Sequence, residues 1–379
     1  MRSLVDNPAA QDTPEIVAAR VEMDLLLRVL VDSGGSDLHL RVGQPPILRK
    51  DGQLVREDGP SMEEAQLHAM LTSTMAPRDI ATFSETHDVD YAYELDGQAR
   101  FRCNAGVDRG GPMGVFRIIP NRIPTCDELD LSEPIRKLCS LTKGMVLVTG
   151  PTGSGKSTTL AALLDQVNRE RSQHIVTIED PIEFVHESKG CLVTHRQVGL
   201  HTKSFRSGLR AALREDPDVV LIGEMRDLET VEIAMATAET GHLVFGTLHT
   251  TTAPSTIDRI IDQFPADRQS QIRVMLAESL QGVIAQVLCK KIGGGRIAAR
   301  EVLLATRAVS NLIREGKTFQ LPSIIQTGRE RGMLTLNDSL LDLVDRELVE
   351  PEEAYGKSTD KDVIATALVA RGHELPFLA

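Results

Sequence analysis

One stretch limits what this chain can become: residues 145–158, Met-Val-Leu-Val-Thr-Gly-Pro-Thr-Gly-Ser-Gly-Lys-Ser-Thr. It contains Gly150-x-x-x-x-Gly155-Lys156-Ser157, the complete phosphate-loop pattern. Val146-Leu-Val148 ahead of it is the short apolar run of a buried parallel strand. Leu160, Leu163, Leu164 and Val167 behind it fall at helical spacing. The loop therefore joins a strand to a helix, the context the motif requires. Gly150, Gly153 and Gly155 let the backbone approach and turn its N–H groups toward phosphate oxygens. Thr152, Ser154 and Thr158 complete the expected cradle, and the helix N-terminus adds positive potential. Lys156 is expected to reach the terminal phosphates of ATP, and the Ser157 hydroxyl to take a Mg²⁺ position.

The chain keeps the rhythm that such a loop demands. From Asp127 onward strands alternate with helices, which predicts an α/β domain with a parallel sheet. Ile175-Val-Thr-Ile178, Val219-Val-Leu-Ile222 and Leu243-Val-Phe-Gly-Thr-Leu248 are three further buried strands. They run out into Glu179-Asp180, Gly223-Glu224 and His249-Thr250. Ligands of parallel sheets bind beyond the carboxyl ends of strands, so Glu179, Glu224 and His249 are candidates to surround one nucleotide. Glu224 is the expected metal-side carboxylate. Glu179 is the expected residue to orient or deprotonate the attacking water. Spacing alone leaves these two roles exchangeable. His242, which enters the last strand, and His249, which leaves it, are candidates to sense or stabilise the γ-phosphate. Residues 204–214 read as a helix carrying Arg206, Arg210 and Arg214 on one stripe. Residues 268–291 read as one long amphipathic helix closed by Gly293-Gly-Gly295, with short helical segments after it.

The first third has a different texture. Residues 1–12 are polar and read as a disordered extension. Thr13-Pro14 opens a helix that ends at Gly34-Gly35. Leu38, Leu40 and Val42 alternate with polar residues as in a half-buried strand. Residues 47–55 form a hairpin around Asp51-Gly52, and Ser61-x-x-Glu64 is a capping box for a helix toward Met75. Further alternation over residues 89–95, 99–104 and 114–119 completes a small antiparallel sheet, an α+β domain. Arg100, Arg102 and Asn104 lie on the face opposite Phe101 and Cys103, with Arg109 in the next turn and Arg117 on the next strand. Alone, these arginines read as a solvated sheet face. Pro120 and Pro124 mark a linker.

Bulk composition narrows the partners. The net charge is −12 and aromatic residues make up 3% of the chain, which disfavours direct nucleic-acid binding. Five scattered cysteines without a C-x-x-C pair argue against a zinc module or disulfide framework and for a reducing cytoplasm. No apolar run has the length of a transmembrane helix.

These motifs together resemble the secretion-type hexameric ATPases, and within them the PilT-type pilus-retraction ATPases. The resemblance runs from about residue 23 to about residue 355. Residues 150–158 match that family's Walker A box, 178–186 resemble its aspartate box, 218–227 its Walker B box, and 240–250 its histidine box. Gly35-Ser-Asp-Leu-His39 resembles the opening of its PAS-like N-terminal domain. Residues 308–315 resemble the C-terminal signature of retraction ATPases, departing from it at Val309 and Ser310. The absence of a C-x-x-C module and of a longer N-terminal region is a further reason to expect retraction rather than assembly.

The resemblance implies an α/β fold: a RecA-like phosphate-loop ATPase core over residues 126–355, a smaller PAS-like α+β domain over residues 23–119, and a linker at 120–125. Residues 1–22 form an extension and 356–379 a tail. It implies a homohexamer that hydrolyses ATP with Mg²⁺ and works at the cytoplasmic face of the inner membrane. The expected partners are a platform protein there and the rest of the pilus machinery. It also implies that Arg102 and Arg117, with Arg109 a weaker fit, reach phosphates across a domain interface. An accessory retraction ATPase or another secretion motor is the alternative. A RecA-like nucleic-acid motor and a nucleotide-gated scaffold without turnover are the rivals from other classes.

Overall fold

Alternating apolar residues build the first sheet. Its strands are β1 (Asp37–Arg41), β2 (Ile47–Lys50), β3 (Gln53–Arg56), β4 (Asp88–Leu95), β5 (Ala99–Asp108) and β6 (Gly111–Ile119). They pair antiparallel throughout, in the order β3-β2-β1-β6-β5-β4. Leu38, Leu40, Phe101, Cys103 and Phe116 are buried against Met23, Leu27 and Leu30 of helix Pro14–Asp32 and Leu67, Met70 and Leu71 of helix Glu64–Ser73. Thr13 caps the first helix, accepting the Ile16 N–H, and Pro14 occupies its first turn. The computed structural model describes residues 13–50, 52–95, 97–119 and 122–376. The expected disorder of residues 1–12 and Pro120 of the expected linker lie outside the described residues. The chain divides into two compact units, Met1–Arg122 and Ile123–Ala379.

The Ser61–Glu64 capping box does not form. Helix Glu64–Ser73 takes Glu63 as its N-cap, with no side-chain cap bond. Ser61 precedes the cap by two residues because Met62 is held in a bridge to Val42, its N–H donating to Gln44 O at 3.0 Å. A third helix of this unit, Pro77–Thr86, follows where none was expected.

The second unit is built on one seven-stranded sheet. Its strands are β7 (Gly144–Thr149), β8 (His174–Glu179), β9 (Leu192–Gln197), β10 (Val219–Ile222), β11 (Leu243–Leu248), β12 (Leu280–Lys290) and β13 (Arg296–Leu304). The order is β13-β12-β7-β11-β10-β8-β9, parallel except for β13 on β12. Every residue of β7, β10 and β11 is buried, as unbroken apolar runs require when helices cover both faces. Met145 and Leu147 join one core and Val146 and Val148 the other, on opposite faces of the sheet.

The long helix expected over residues 268–291 is corrected. Helix Gln269–Ser279 stops at Ser279, and residues 280–290 are β12, paired with β7 in the middle of the sheet. Gly293, Gly294 and Gly295, all at positive φ, turn β12 into β13, which also replaces an expected helical stretch. Helix Phe205–Ala212 ends before Arg214, so only Arg206 and Arg210 of the expected stripe lie on it. Beyond β13, helices Leu336–Asp345, Pro351–Lys357 and Lys361–Ala370 share a core with Cys289 and Ala299. All five cysteines are free and buried. Among the described residues, no helix is long and apolar enough to cross a membrane.

Candidate active site

The phosphate loop leaves the carboxyl end of β7 and enters helix Lys156–Glu170, with Gly155 as the N-cap at φ 86°. Gly150 has φ 144°, and a Cβ there would lie 2.3 Å from the Gln286 carbonyl oxygen, so no side chain fits. Lys156 is only 9% exposed. Its Nζ donates to Gly150 O at 2.8 Å and Pro151 O at 3.2 Å, folding the side chain back over the loop. Burial lowers its pKa, and the nearby charge of Glu224 opposes that shift. Ser157 and Thr158 follow on the first turn of the helix, where backbone N–H groups are left unpaired by the helix itself.

Beside the loop, β11, β10 and β8 end in turn. Glu179 is the last residue of β8, 7% exposed, and accepts the Glu183 N–H at 3.4 Å. Gly223 packs on it: a Cβ there would meet Glu179 Cα at 3.2 Å, and the Gly223 N–H donates to Ile178 O at 2.8 Å. Glu224 Oε1 accepts from Arg226 Nε at 2.6 Å and from His249 Nε2 at 2.8 Å. Burial would raise the Glu224 pKa, but these bonds and charges outweigh it and hold the carboxyl below its ordinary value. The structure thus gathers the loop, Glu179, Glu224 and His249 along one sheet edge.

His242 is not gathered with them. It precedes β11 at the amino edge of the sheet, where its carbonyl accepts the Gly144 N–H and its Nδ1 lies 3.0 Å from Thr237 O. The six residues of β11 separate it from His249 by about 20 Å of strand. Within one chain the two histidines expected to sense or stabilise the γ-phosphate flank one strand at opposite ends, and only His249 stands beside the loop.

Arg102 and Arg117 belong to the other unit. They are direct cross-strand partners on β5 and β6, so their side chains share a face. Arg117 in turn faces Asp37, and Asp37 faces Arg49. Arg117 Nε donates to Asp37 Oδ1 at 2.7 Å although the arginine side chain is 64% exposed. The Ser36 hydroxyl donates to Asp37 Oδ2 at 2.7 Å. Burial would raise the Asp37 pKa; the bonds from Ser36 and Arg117 more than reverse that. Arg109 lies in the turn between β5 and β6.

Ser157 and Glu224 offer hard oxygen donors, and Glu224 is held ionised. This set suits Mg²⁺, which keeps several waters and takes further ligands from phosphates rather than from an all-protein cage. Among the described residues no group of three His, Cys, Asp or Glu is assembled to hold a metal by itself.

Comparison with known proteins places the chain. It is 52% identical over 333 residues to the type IV pilus retractation ATPase PilT of Pseudomonas aeruginosa, covering 88% of this chain and 97% of that one. The chain belongs to the PilT-type ATPases. The profile of the type II/IV secretion system protein family matches residues 127–295. A twitching motility protein of Neisseria gonorrhoeae is 48% identical over 318 residues, covering 84% of this chain and 85% of the relative. The crystal structure of the pilus retraction motor PilT with bound ADP superposes with a TM-score of 0.84 at 44% identity, over 90% of this chain and 98% of that one. The RecA-like core with a smaller N-terminal sheet domain is the fold of this family.

Two residues stand out only in the folded chain, Asp37 beside Arg117 in the N-terminal unit and Gln286 beside the phosphate loop in the larger one. Asp37 stands in Ser-Asp-Leu-His, used above only as a point of resemblance; a carboxylate flanked by alternating apolar residues was the available signal. Gln286 was hidden by the helix expected around it.

Proposed function

We propose that this chain is the ATP-hydrolysing subunit of a ring motor that retracts type IV pili. The observation that carries this is the meeting of the phosphate loop with Glu179 and the Glu224–His249 pair at one edge of the sheet. Family membership supplies the ATPase activity, and the names of its relatives support the pilus.

The loop amides from Gly150 to Thr158 other than Pro151, which has no N–H, and including those of Thr152, Gly153, Ser154 and Gly155, cradle the phosphates of ATP. Lys156 exchanges its two loop carbonyls for phosphate oxygens. Bound Mg²⁺, held by Ser157 and Glu224, would neutralise charge on the β- and γ-phosphates. Glu179, buried and adjacent, orients the attacking water and accepts its proton as the new P–O bond forms and the bond to ADP breaks. His249 and Arg226 keep Glu224 ionised. Arg102 and Arg117, from the N-terminal unit of a neighbouring subunit, stabilise the charge that builds on the transferring phosphoryl group. Loss of that charge after hydrolysis releases the arginines, and the N-terminal unit moves about the linker at residues 120–125. In a homohexamer, successive movements would act on an inner-membrane platform protein of the pilus machinery from the cytoplasmic side. A net charge of −12 favours a protein partner over nucleic acid.

The test is ATPase rate against protein concentration, with light scattering for mass, for wild type, Lys156→Ala, Arg102→Ala and Arg117→Ala. The rate per subunit should rise steeply as hexamers form and fall at least about tenfold in each variant. A rate independent of concentration, unharmed by either arginine change, would place a complete site in one chain and end the shared-site reading.

A further inference from the structure

Gln286 lies on β12, one residue past the Ala285–Thr149 pairing, and is 1% exposed. It touches the phosphate loop at Gly150, Ser154 and Gly155. Its carbonyl oxygen stands where a Cβ on Gly150 would go, and its Nε2 would lie 3.2 Å from a Cβ on Gly155. Nε2 donates to Ser154 O at 2.7 Å. Its Oε1 accepts from the Thr159 hydroxyl at 2.9 Å, on the first turn of the following helix. Both hydrogen bonds are buried, where an amide left half-satisfied is costly.

The bond to Ser154 O has a directional consequence. In a trans peptide the N–H of the next residue points opposite to the carbonyl. Holding Ser154 O toward β12 therefore turns the Gly155 N–H away from β12, to the side where the helix N-terminus is open. The Thr159 bond fixes the amide's own rotation, so donor and acceptor ends cannot exchange.

We propose that Gln286 is a positioning residue for the nucleotide: it sets the Ser154–Gly155 peptide so that the loop is ready for phosphate before phosphate arrives. It acts through the loop and touches no substrate. The inference rests on the reading that this loop holds ATP and ADP.

The experiment measures ADP affinity by calorimetry in Mg²⁺ buffer for wild type, Gln286→Leu, Gln286→Glu and Thr159→Val, each beside the melting temperature of the nucleotide-free protein. Gln286→Leu should bind ADP about tenfold more weakly at every pH. Gln286→Glu carries an internal control. As a neutral acid it can donate to Ser154 O; as a carboxylate it cannot. Its affinity relative to wild type should therefore fall about tenfold between about pH 5.5 and about pH 9, whereas that of Gln286→Leu stays level. Thr159→Val should weaken binding about threefold, and it carries the test if the Gln286 variants do not fold. Variants that melt earlier yet bind ADP like wild type, or a Gln286→Glu profile parallel to wild type, would reduce Gln286 to a packing residue and overturn the proposal. Failure of the wild-type protein itself to bind ADP would instead sink the ATP-site reading.

Discussion

On the row Arg102–Arg117–Asp37–Arg49, one buried carboxylate stands between two guanidinium groups, with a third beyond Arg117. Like charges directly opposite one another on a sheet repel, and Asp37 is the counter-charge within that row. Its lowered pKa has a definite sign for stability. The stabilisation it supplies is complete above the ordinary carboxylate range and is lost as pH falls through the lowered folded-state value. Asp37→Asn should thus destabilise the protein by about 1–2 kcal/mol near neutral pH, read by urea unfolding. The gap to wild type should begin to narrow below about pH 4 and close only once pH has fallen past the lowered folded-state value, where both proteins present an uncharged group. A gap that widens in acid would show that Asp37 is not charged in the folded state. At the second carboxylate, Glu224, the pattern of an acidic residue after an apolar strand was readable in advance, but its bonds to Arg226 and His249 were not. Arg226 lies two residues away in the same loop, where the turn of the backbone decides whether it bends back, and His249 comes from the loop after β11, which only folding brings alongside.

Among the elements, the legible ones were those whose local signals and tertiary fate agree. β7, β8, β10 and β11 are apolar runs with polar exits, and the motif between β7 and its helix fixes direction. β12 shows the opposite case. Residues 269–279 are helical, and the apolar spacing runs on without a proline, so the change from helix to strand at Leu280 has little local mark. Val283, Ile284 and Val287 are β-branched, but a short apolar run fits a buried helix as well as a strand. What decides is the parallel partner offered by β7, some 135 residues earlier. Read as helix, residues 280–290 conceal Gln286 and the close approach of β12 to the loop. That approach makes its own prediction. Gly150→Ala places a methyl 2.3 Å from the Gln286 carbonyl, so the loop and β12 must part; ADP binding should fall by at least about tenfold, measured by calorimetry. Unchanged affinity would mean the strand gives way without cost.

At the scale of the whole molecule, the groups proposed to meet on one ATP are divided between two units with separate cores. The N-terminal unit holds Arg102 and Arg117; the larger unit holds the loop, Glu179 and Glu224. Such a division makes the concentration dependence of turnover, rather than the folding of either unit, the property that reports on the shared site. The cysteines bear on how that could be followed. All five are buried, and burial pushes the thiols of Cys103, Cys126, Cys139 and Cys289 up, away from the reactive thiolate. The folded chain should therefore ignore a maleimide, and mass spectrometry should find adducts only on molecules that have opened. A cysteine introduced at an exposed position, such as Phe319 at 75% exposure, would then be the sole address for a fluorophore. The motor can be given a dye on each subunit without first removing any native thiol.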